Sequence, residues 1–328
     1  MAELDVIGIG NALVDVLSHE NDDFLTRHGL MKGKMHLIDE PQARRLYDSM
    51  GPTVAISGGS AANTIVGVAS LGGRVQYVGK VRDDQLGDVF SHDLRATGVD
   101  YETPPARSGP ATGRCLIMVT PDAQRTMNTF LGASVHLGPT DVDPGAVARG
   151  RILYLEGYLF DPPAAQAAFR AAASLAHAAG RKVALTLSDP LCVDRHRAAF
   201  LDLVEHHVDI LFANEAEICA LYQAKDFNGA LQQVRGHCEV AALTRSARGS
   251  VIVAGQEVHV VDASPVDKVV DTTGAGDLYA AGFLMGLCRG RDLPTSARLG
   301  SLAAAEAISH VGARPMTPLA KLAGALLS

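Results

Sequence analysis

The densest chemistry in the sequence lies in Asp271-Thr272-Thr273-Gly274-Ala275-Gly276-Asp277, which runs into the apolar stretch Leu278 to Leu284. A loop of small residues that opens directly into a helix leaves free amides at the helix start. Such a terminus carries about half a positive charge and makes a hole for an anion such as phosphate. Asp277, in the first turn, stands beside that anion as a dipole-favoured acid or as a base. The glycines favour the second use: an ordinary cap has no need of Gly-Ala-Gly, whereas a backbone that approaches a phosphate does. At a helix N-terminus Asp277 is expected to have a low pKa, so its first task would be to orient a hydroxyl.

A second set of polar residues recurs after short apolar runs. Glu156 follows Ile152–Leu155, and Ser188 and Asp189 follow Val183–Leu187. Asn214, with Glu217 three residues on, follows Val208–Phe212, and Thr244 with Arg245 follows Val240–Leu243. Each alone reads as a helix cap. Their recurrence at four strand ends points to one rim, because ligands of an open parallel sheet bind beyond the carboxyl ends of its strands. Other nucleotide motifs fail. Gly8-Ile9-Gly10-Asn11-Ala12-Leu13 has Leu13 where a dinucleotide fingerprint needs its third glycine, and no GxxxxGK[ST] is present.

The elements that must hold these residues alternate strand and helix. Strands are expected at Asp5–Ile9, Thr53–Ile56 and Arg74–Val81, and helices at Ala61–Leu71 and Gln85–Thr97. The later strands start about 30 residues apart, the rhythm of βαβ units around a parallel sheet buried on both faces. Two stretches break it. Asn11–Tyr47 carries charges, a short helix near Asp22–His28 and a strand at Met35–Ile38. Thr112–Phe130 carries two strands, Arg114–Thr120 and Gln124–Phe130, which a tight turn cannot join as parallel neighbours. Together the two insertions, near 11–47 and 112–130, read as a small β-lid over the active face of a single domain spanning 1–328.

Composition sets the class. The 328 residues are 47% hydrophobic and 20% charged, with 33 glycines and no tryptophan. A chain of this length buries about three quarters of its unfolded surface and needs no metal or disulfide staple. The net charge of −7, from 29 basic and 36 acidic residues, comes without a basic block, which disfavours a nucleic-acid partner. Five cysteines without a CxxC pair suit reduced thiols. Ala280–Cys288 is too short to span a bilayer, and the first residues lack a basic, cleavable leader. A cytoplasmic protein without a membrane partner is expected.

With these motifs in hand, the chain resembles the ribokinase-like (PfkB) carbohydrate and nucleoside kinases. Asp271–Leu284 is similar to the family's C-terminal signature. Gly58-Gly59-Ser60-Ala61-Ala62-Asn63, running on to Leu71-Gly72-Gly73, is similar to its N-terminal one, and Asn214-Glu215-Ala216-Glu217 matches its NxxE motif. Within the family, Gly10-Asn11-Ala12-Leu13-Val14-Asp15, Leu187-Ser188-Asp189-Pro190 and Val208–Glu215 look most like adenosine kinases. In Thr244-Arg245-Ser246-Ala247-Arg248-Gly249, Ser246 replaces the first glycine of the family's TxGxxG.

The resemblance implies a three-layer α/β sandwich, its sheet mainly parallel with helices on both faces, plus a small β-lid. It implies an ATP- and Mg²⁺-dependent kinase acting on the 5′-hydroxyl of a nucleoside, adenosine above all. A kinase of ribose, fructose or a keto-deoxy sugar is the alternative, and a non-catalytic nucleoside-binding protein the rival from another class. Asp277 becomes the base, with the amides of Gly274, Ala275 and Gly276 around the phosphoryl group. Asn214 and Glu217 organise the magnesium water shell, and Thr244 and Gly249 line the nucleotide. Asn11, Asp15, Gly58, Gly59 and Asn63 grip the ribose. Leu37, Cys115 and Tyr158 are offered to the base, while Glu156 stands where sugar kinases carry a substrate-contacting acid. Asp271 and the Thr273 carbonyl are offered to a monovalent cation such as K⁺, as in many relatives. A monomer or a homodimer is expected.

Overall fold

The computed structural model describes residues 3–327 except 123, so the outermost ends of the expected domain lie outside the described residues. Among the described residues, fourteen strands form two sheets. The strands are β1 (Leu4–Ile9), β2 (Leu13–His19), β3 (Met35–Leu37), β4 (Val54–Gly58), β5 (Val75–Val78), β6 (Asp100–Tyr101), β7 (Gly113–Val119), β8 (Arg125–Phe130), β9 (Gly150–Glu156), β10 (Lys182–Thr186), β11 (Ile210–Asn214), β12 (Val240–Thr244), β13 (Ser250–Ala254) and β14 (Glu257–Val261).

Nine of them make the large sheet, in the order β14-β13-β12-β11-β10-β9-β1-β5-β6. Every pair from β12 to β6 is parallel, and β13 and β14 add an antiparallel edge. The parallel strands are continuous apolar runs because both faces are covered; all six residues of β1 are buried. Val6 packs into one core with the helices Ser60–Ser70, Ala275–Cys288 and Leu293–Ile308. Its neighbour Ile7 points into the opposite core, with Pro163–Ala178 and Pro190–His206. Three layers result, as expected.

The small sheet runs β3-β8-β7-β2-β4 and differs from expectation in its parts. Strand β2 was not foreseen, although its buried side chains alternate with half-buried ones as in any strand with one covered face. The run expected at Thr53–Ile56 is β4; it pairs antiparallel with β2 and has no place in the large sheet. A helix at Glu40–Ser49, closed by an Asp39/Gln42 capping box, crosses the assumed insertion boundary at Tyr47. The small sheet thus draws on three stretches of chain. Its hairpin, β7 with β8, is as expected. No helix among the described residues is long and apolar enough to cross a membrane.

Candidate active site

The register of the parallel strands brings their polar ends into one row. Thr186 pairs with Glu156 and with Phe212, and Asn214 pairs with Thr244. Between this rim and the lid lies a cleft of about 740 Å³. Asn11, Asp15, Gly59, Asn63, Leu37, Cys115, Glu156, Tyr158, Asn214, Glu217, Thr244, Thr273, Gly274, Ala275, Gly276 and Asp277 all line it. Gly58, Gly249 and Asp271 do not.

The helix Ala275–Cys288 starts on Gly274 at φ +78°, where a Cβ would also come within 2.7 Å of Ala313. A Cβ on Gly276 would meet no atom within 4 Å outside its own turn, so the space beside this residue is open to the cleft. The Ala275 amide, expected to face an anion, is instead bonded to the Thr272 carbonyl at 3.2 Å. Among the described residues the amides of Gly274, Gly276 and Asp277 have no protein acceptor.

Asp277 accepts from Ser60 Oγ at 2.6 Å and from Asn63 Nδ2 at 3.1 Å. Burial pushes its pKa up to about 6, against the pull of those two donors. The low value expected from the helix start is therefore reversed, because desolvation outweighs the dipole. The carboxylate stays reachable from the cleft.

The Asp15 carboxylate has no hydrogen-bond donor or ion-pair partner within the protein among the described residues. Burial raises it to about 6, and the positive charges of Arg314 and Arg125 oppose the rise. Its room depends on Gly58, where a Cβ would lie 2.5 Å from the Asp15 carboxyl. Gly59, at φ +103°, leads into the helix Ser60–Ser70, and a Cβ there would strike the Asn11 carbonyl oxygen. Beside Asp15 the lid presents Leu13, Leu37, Cys115, Ile117 and Met127 to the cleft. Leu37 is 53% exposed, a large apolar side chain without cover.

Two expected substrate grips are occupied. Glu156 is 1% exposed and accepts from Asn11 N (3.2 Å), Asn11 Nδ2 (2.7 Å) and Ala61 N (2.7 Å). Asn11 Oδ1 in turn accepts from Ser134 Oγ at 2.8 Å. Together they fasten β1, β9 and the helix Ser60–Ser70, which is a structural task. Burial holds Glu156 near 7. Tyr158 lines the same cleft; burial is the main cause of its raised pKa, and the charges that act on its hydroxyl are Asp189, Asp277, Glu217 and Glu156.

Asn214 and Glu217 form a reciprocal capping box. Glu217 N donates to Asn214 Oδ1 at 2.9 Å, while Glu217 accepts from Asn214 N (2.9 Å) and Asn214 Nδ2 (2.6 Å). Glu217 is buried and held up at about 7 by desolvation. Gly249 sits at φ +73° with no room for a Cβ under the Val261 carbonyl, so its glycine serves the turn into β13. Ser246 adopts φ +52°, the glycine-like backbone of the motif it departs from.

Two arginines escaped the sequence reading. Arg314 donates from Nε to Asn63 Oδ1 (3.2 Å) and from Nη1 to Ser57 Oγ (2.8 Å), and so stands behind Asp277. Arg125, on β8, faces Asp271 at 3.1 Å. No local spacing signals either one.

The arrangement is an acid beside an open anion turn, with a second, unpaired acid under an apolar lid. Comparison with known proteins agrees. The model of the pfkB family carbohydrate kinases matches residues 50–320. The structure of adenosine kinase from Sinorhizobium meliloti is 53% identical, with a TM-score of 0.92 over 98% of this chain and 99% of that one. A "probable sugar kinase protein" from Rhizobium etli CFN 42 is 50% identical, also at 0.92, over 98% of both chains. Adenosine kinase of Saccharomyces cerevisiae is 26% identical over 97% of this chain and 98% of its own length. The chain belongs to the pfkB family of carbohydrate kinases and is an ATP-dependent kinase.

Proposed function

We propose that the protein transfers the γ-phosphoryl group of ATP to the 5′-hydroxyl of adenosine, giving AMP and ADP. The observation that carries this reading is the Asp277 carboxylate next to the unpaired amides of Gly274 and Gly276, in one cleft with the unpaired Asp15 and the apolar lid face. Asp15 offers two acceptor oxygens to the vicinal ribose hydroxyls, and Leu37, Cys115, Ile117 and Met127 offer an apolar wall to the purine. The adenosine kinase names among the relatives support the same substrate.

The 5′-hydroxyl sits against Asp277 and gives it a proton as the oxygen attacks the γ-phosphorus; the bond to the β-phosphate oxygen breaks and ADP leaves. Such transfer passes through a loose transition state, so positioning and charge stabilisation dominate. The amides of Gly274 and Gly276 supply fixed donors to the moving phosphoryl oxygens. Thr244 and Asn214 line the nucleotide side. Magnesium, when bound, neutralises phosphate charge. No cluster of three acidic, His or Cys side chains suited to a metal exists among the described residues, so the ion would arrive on the nucleotide. Glu217, a buried carboxylate facing the cleft, fits the water shell of such an ion.

The second reading, a free-sugar kinase, is supported by the name of the Rhizobium etli relative, but Glu156 already has three donors and is poorly placed to serve a sugar. Phosphorus NMR of a mixture of protein, adenosine, ATP and magnesium tests the proposal. A 5′-monophosphate signal growing with that of ADP is expected. No nucleoside phosphate, under conditions that phosphorylate ribose or fructose, would overturn it.

A further inference from the structure

The resemblance offers Asp271 to a monovalent cation, and its carboxylate does not fit that use. Asp271 Oδ1 accepts from Thr273 N at 3.0 Å and Thr273 Oγ1 at 2.7 Å. Oδ2 accepts from Gly312 N at 2.9 Å, and Arg125 Nη2 stands 3.1 Å from the same oxygen. Three hydrogen bonds and the adjacent guanidinium charge already compensate the carboxylate, and that charge repels a second cation. The side chains of Arg125 and Asp271 are only 8% and 9% exposed, so water does not screen the pair.

We propose that Arg125 stands in for the monovalent cation, giving turnover that does not depend on K⁺. The guanidinium supplies the positive charge beside the turn that carries Gly274, Gly276 and Asp277. Arg125 is also the first residue of β8, whose partner along the hairpin is Val119 of β7. Its side chain therefore ties the small sheet to the anion turn, and seating of the lid and shape of the turn are set together. A cation from solvent would supply the charge without that tie. Arg125 acts through Asp271 and is a positioning residue.

The inference rests on the kinase reading, so one arm of its test needs no turnover. The full chain and its Arg125→Ala variant are compared in KCl and in choline chloride at equal ionic strength. The wild type is expected to show the same kcat/KM and the same Tm in both salts. The variant is expected to lose about 10- to 100-fold in kcat/KM in choline, the range for leaving one partner of a buried charged pair unmatched. Potassium is expected to restore part of that rate and to raise the variant's Tm alone. Activation or stabilisation of the wild type by K⁺ would overturn the proposal, and that arm uses the unaltered protein. A variant with undiminished kcat/KM, or with a loss that K⁺ leaves untouched, would overturn it as well.

Discussion

Arg314 Nε donates to the Asn63 side-chain oxygen at 3.2 Å, and that contact decides which end of the Asn63 amide faces Asp277. With the oxygen held, Nδ2 is turned to the Asp277 carboxylate at 3.1 Å. The reverse orientation would set a carbonyl oxygen against a carboxylate. The other arm of Arg314 reaches Ser57 on β4, so the small sheet, Arg314, Asn63 and Asp277 form one chain of contacts.

Replacing Arg314 by Met keeps much of the aliphatic stem and removes its donors. The expected result is a fall in kcat of about 10- to 100-fold, the range for a hydrogen bond to a charged group. The KM for ATP should hold, and the acid limb of the pH profile should move upward as Asp277 loses an ordered donor. Steady-state kinetics across pH check this; an unchanged kcat and limb would leave Arg314 as packing.

As the proposed base, Asp277 should give the rate its own pH dependence. Burial raises it to about 6, and only the ionised form accepts a proton. Activity should therefore fall as pH drops through about 6. Ser60→Ala removes a donor to the charged form and should shift the fall to higher pH. Asp277→Asn should cost about 10²–10⁴ in kcat while ATP still binds. A wild-type profile flat from acid to neutral pH would remove Asp277 as the base.

Glu156 links stability to pH with the opposite sense from an ordinary salt-bridged acid. Its pKa is raised from 4.5 to about 7 in the folded protein, so the folded state holds the proton more tightly. The stability that this contributes is complete below 4.5 and lost as pH rises through about 7. Asp15, Asp277 and Glu217 act in the same direction. The Tm of the free protein should fall from mildly acidic to mildly basic pH, and Glu156→Gln should flatten that slope without abolishing it. An identical slope in the variant would contradict the assignment.

Ser246 carries a backbone strain that glycine would relieve. At φ +52° an L residue meets a cost of about 1–2 kcal/mol that glycine escapes. Ser246→Gly should stabilise the fold by about 1 kcal/mol, less what glycine adds to the freedom of the unfolded chain. Denaturant unfolding of both proteins checks it, and a destabilised variant would contradict it.

The parallel sheet was legible because its strands are unbroken apolar runs, and the anion turn because its small residues are contiguous. The lid was less so. Strand β2 alternates as a strand should, but it overlaps the Asn11-to-Asp15 motif, whose residue types point first to chemistry. Residue types also conceal who satisfies whom: Asn11 and Glu156 read as substrate grips and turn out to bind each other. The same limit hid the two arginines. Arg314 meets Asn63 across 251 residues of chain, a contact that only the tertiary fold creates. Burial, which no spacing encodes, reversed the expected pKa of Asp277.

The central claim, a cleft built for ribose under an apolar lid, is tested most directly by kcat/KM for adenosine and for ribose with saturating Mg·ATP. Both acceptors present hydroxyls to Asp15 and Asp277, and only adenosine adds a purine against Leu37, Cys115 and Met127. Differences in apolar burial of this kind are worth about 10- to 200-fold in specificity. Adenosine is predicted to lead ribose by at least about 10-fold. Ribose used as efficiently as adenosine, or better, would contradict the account.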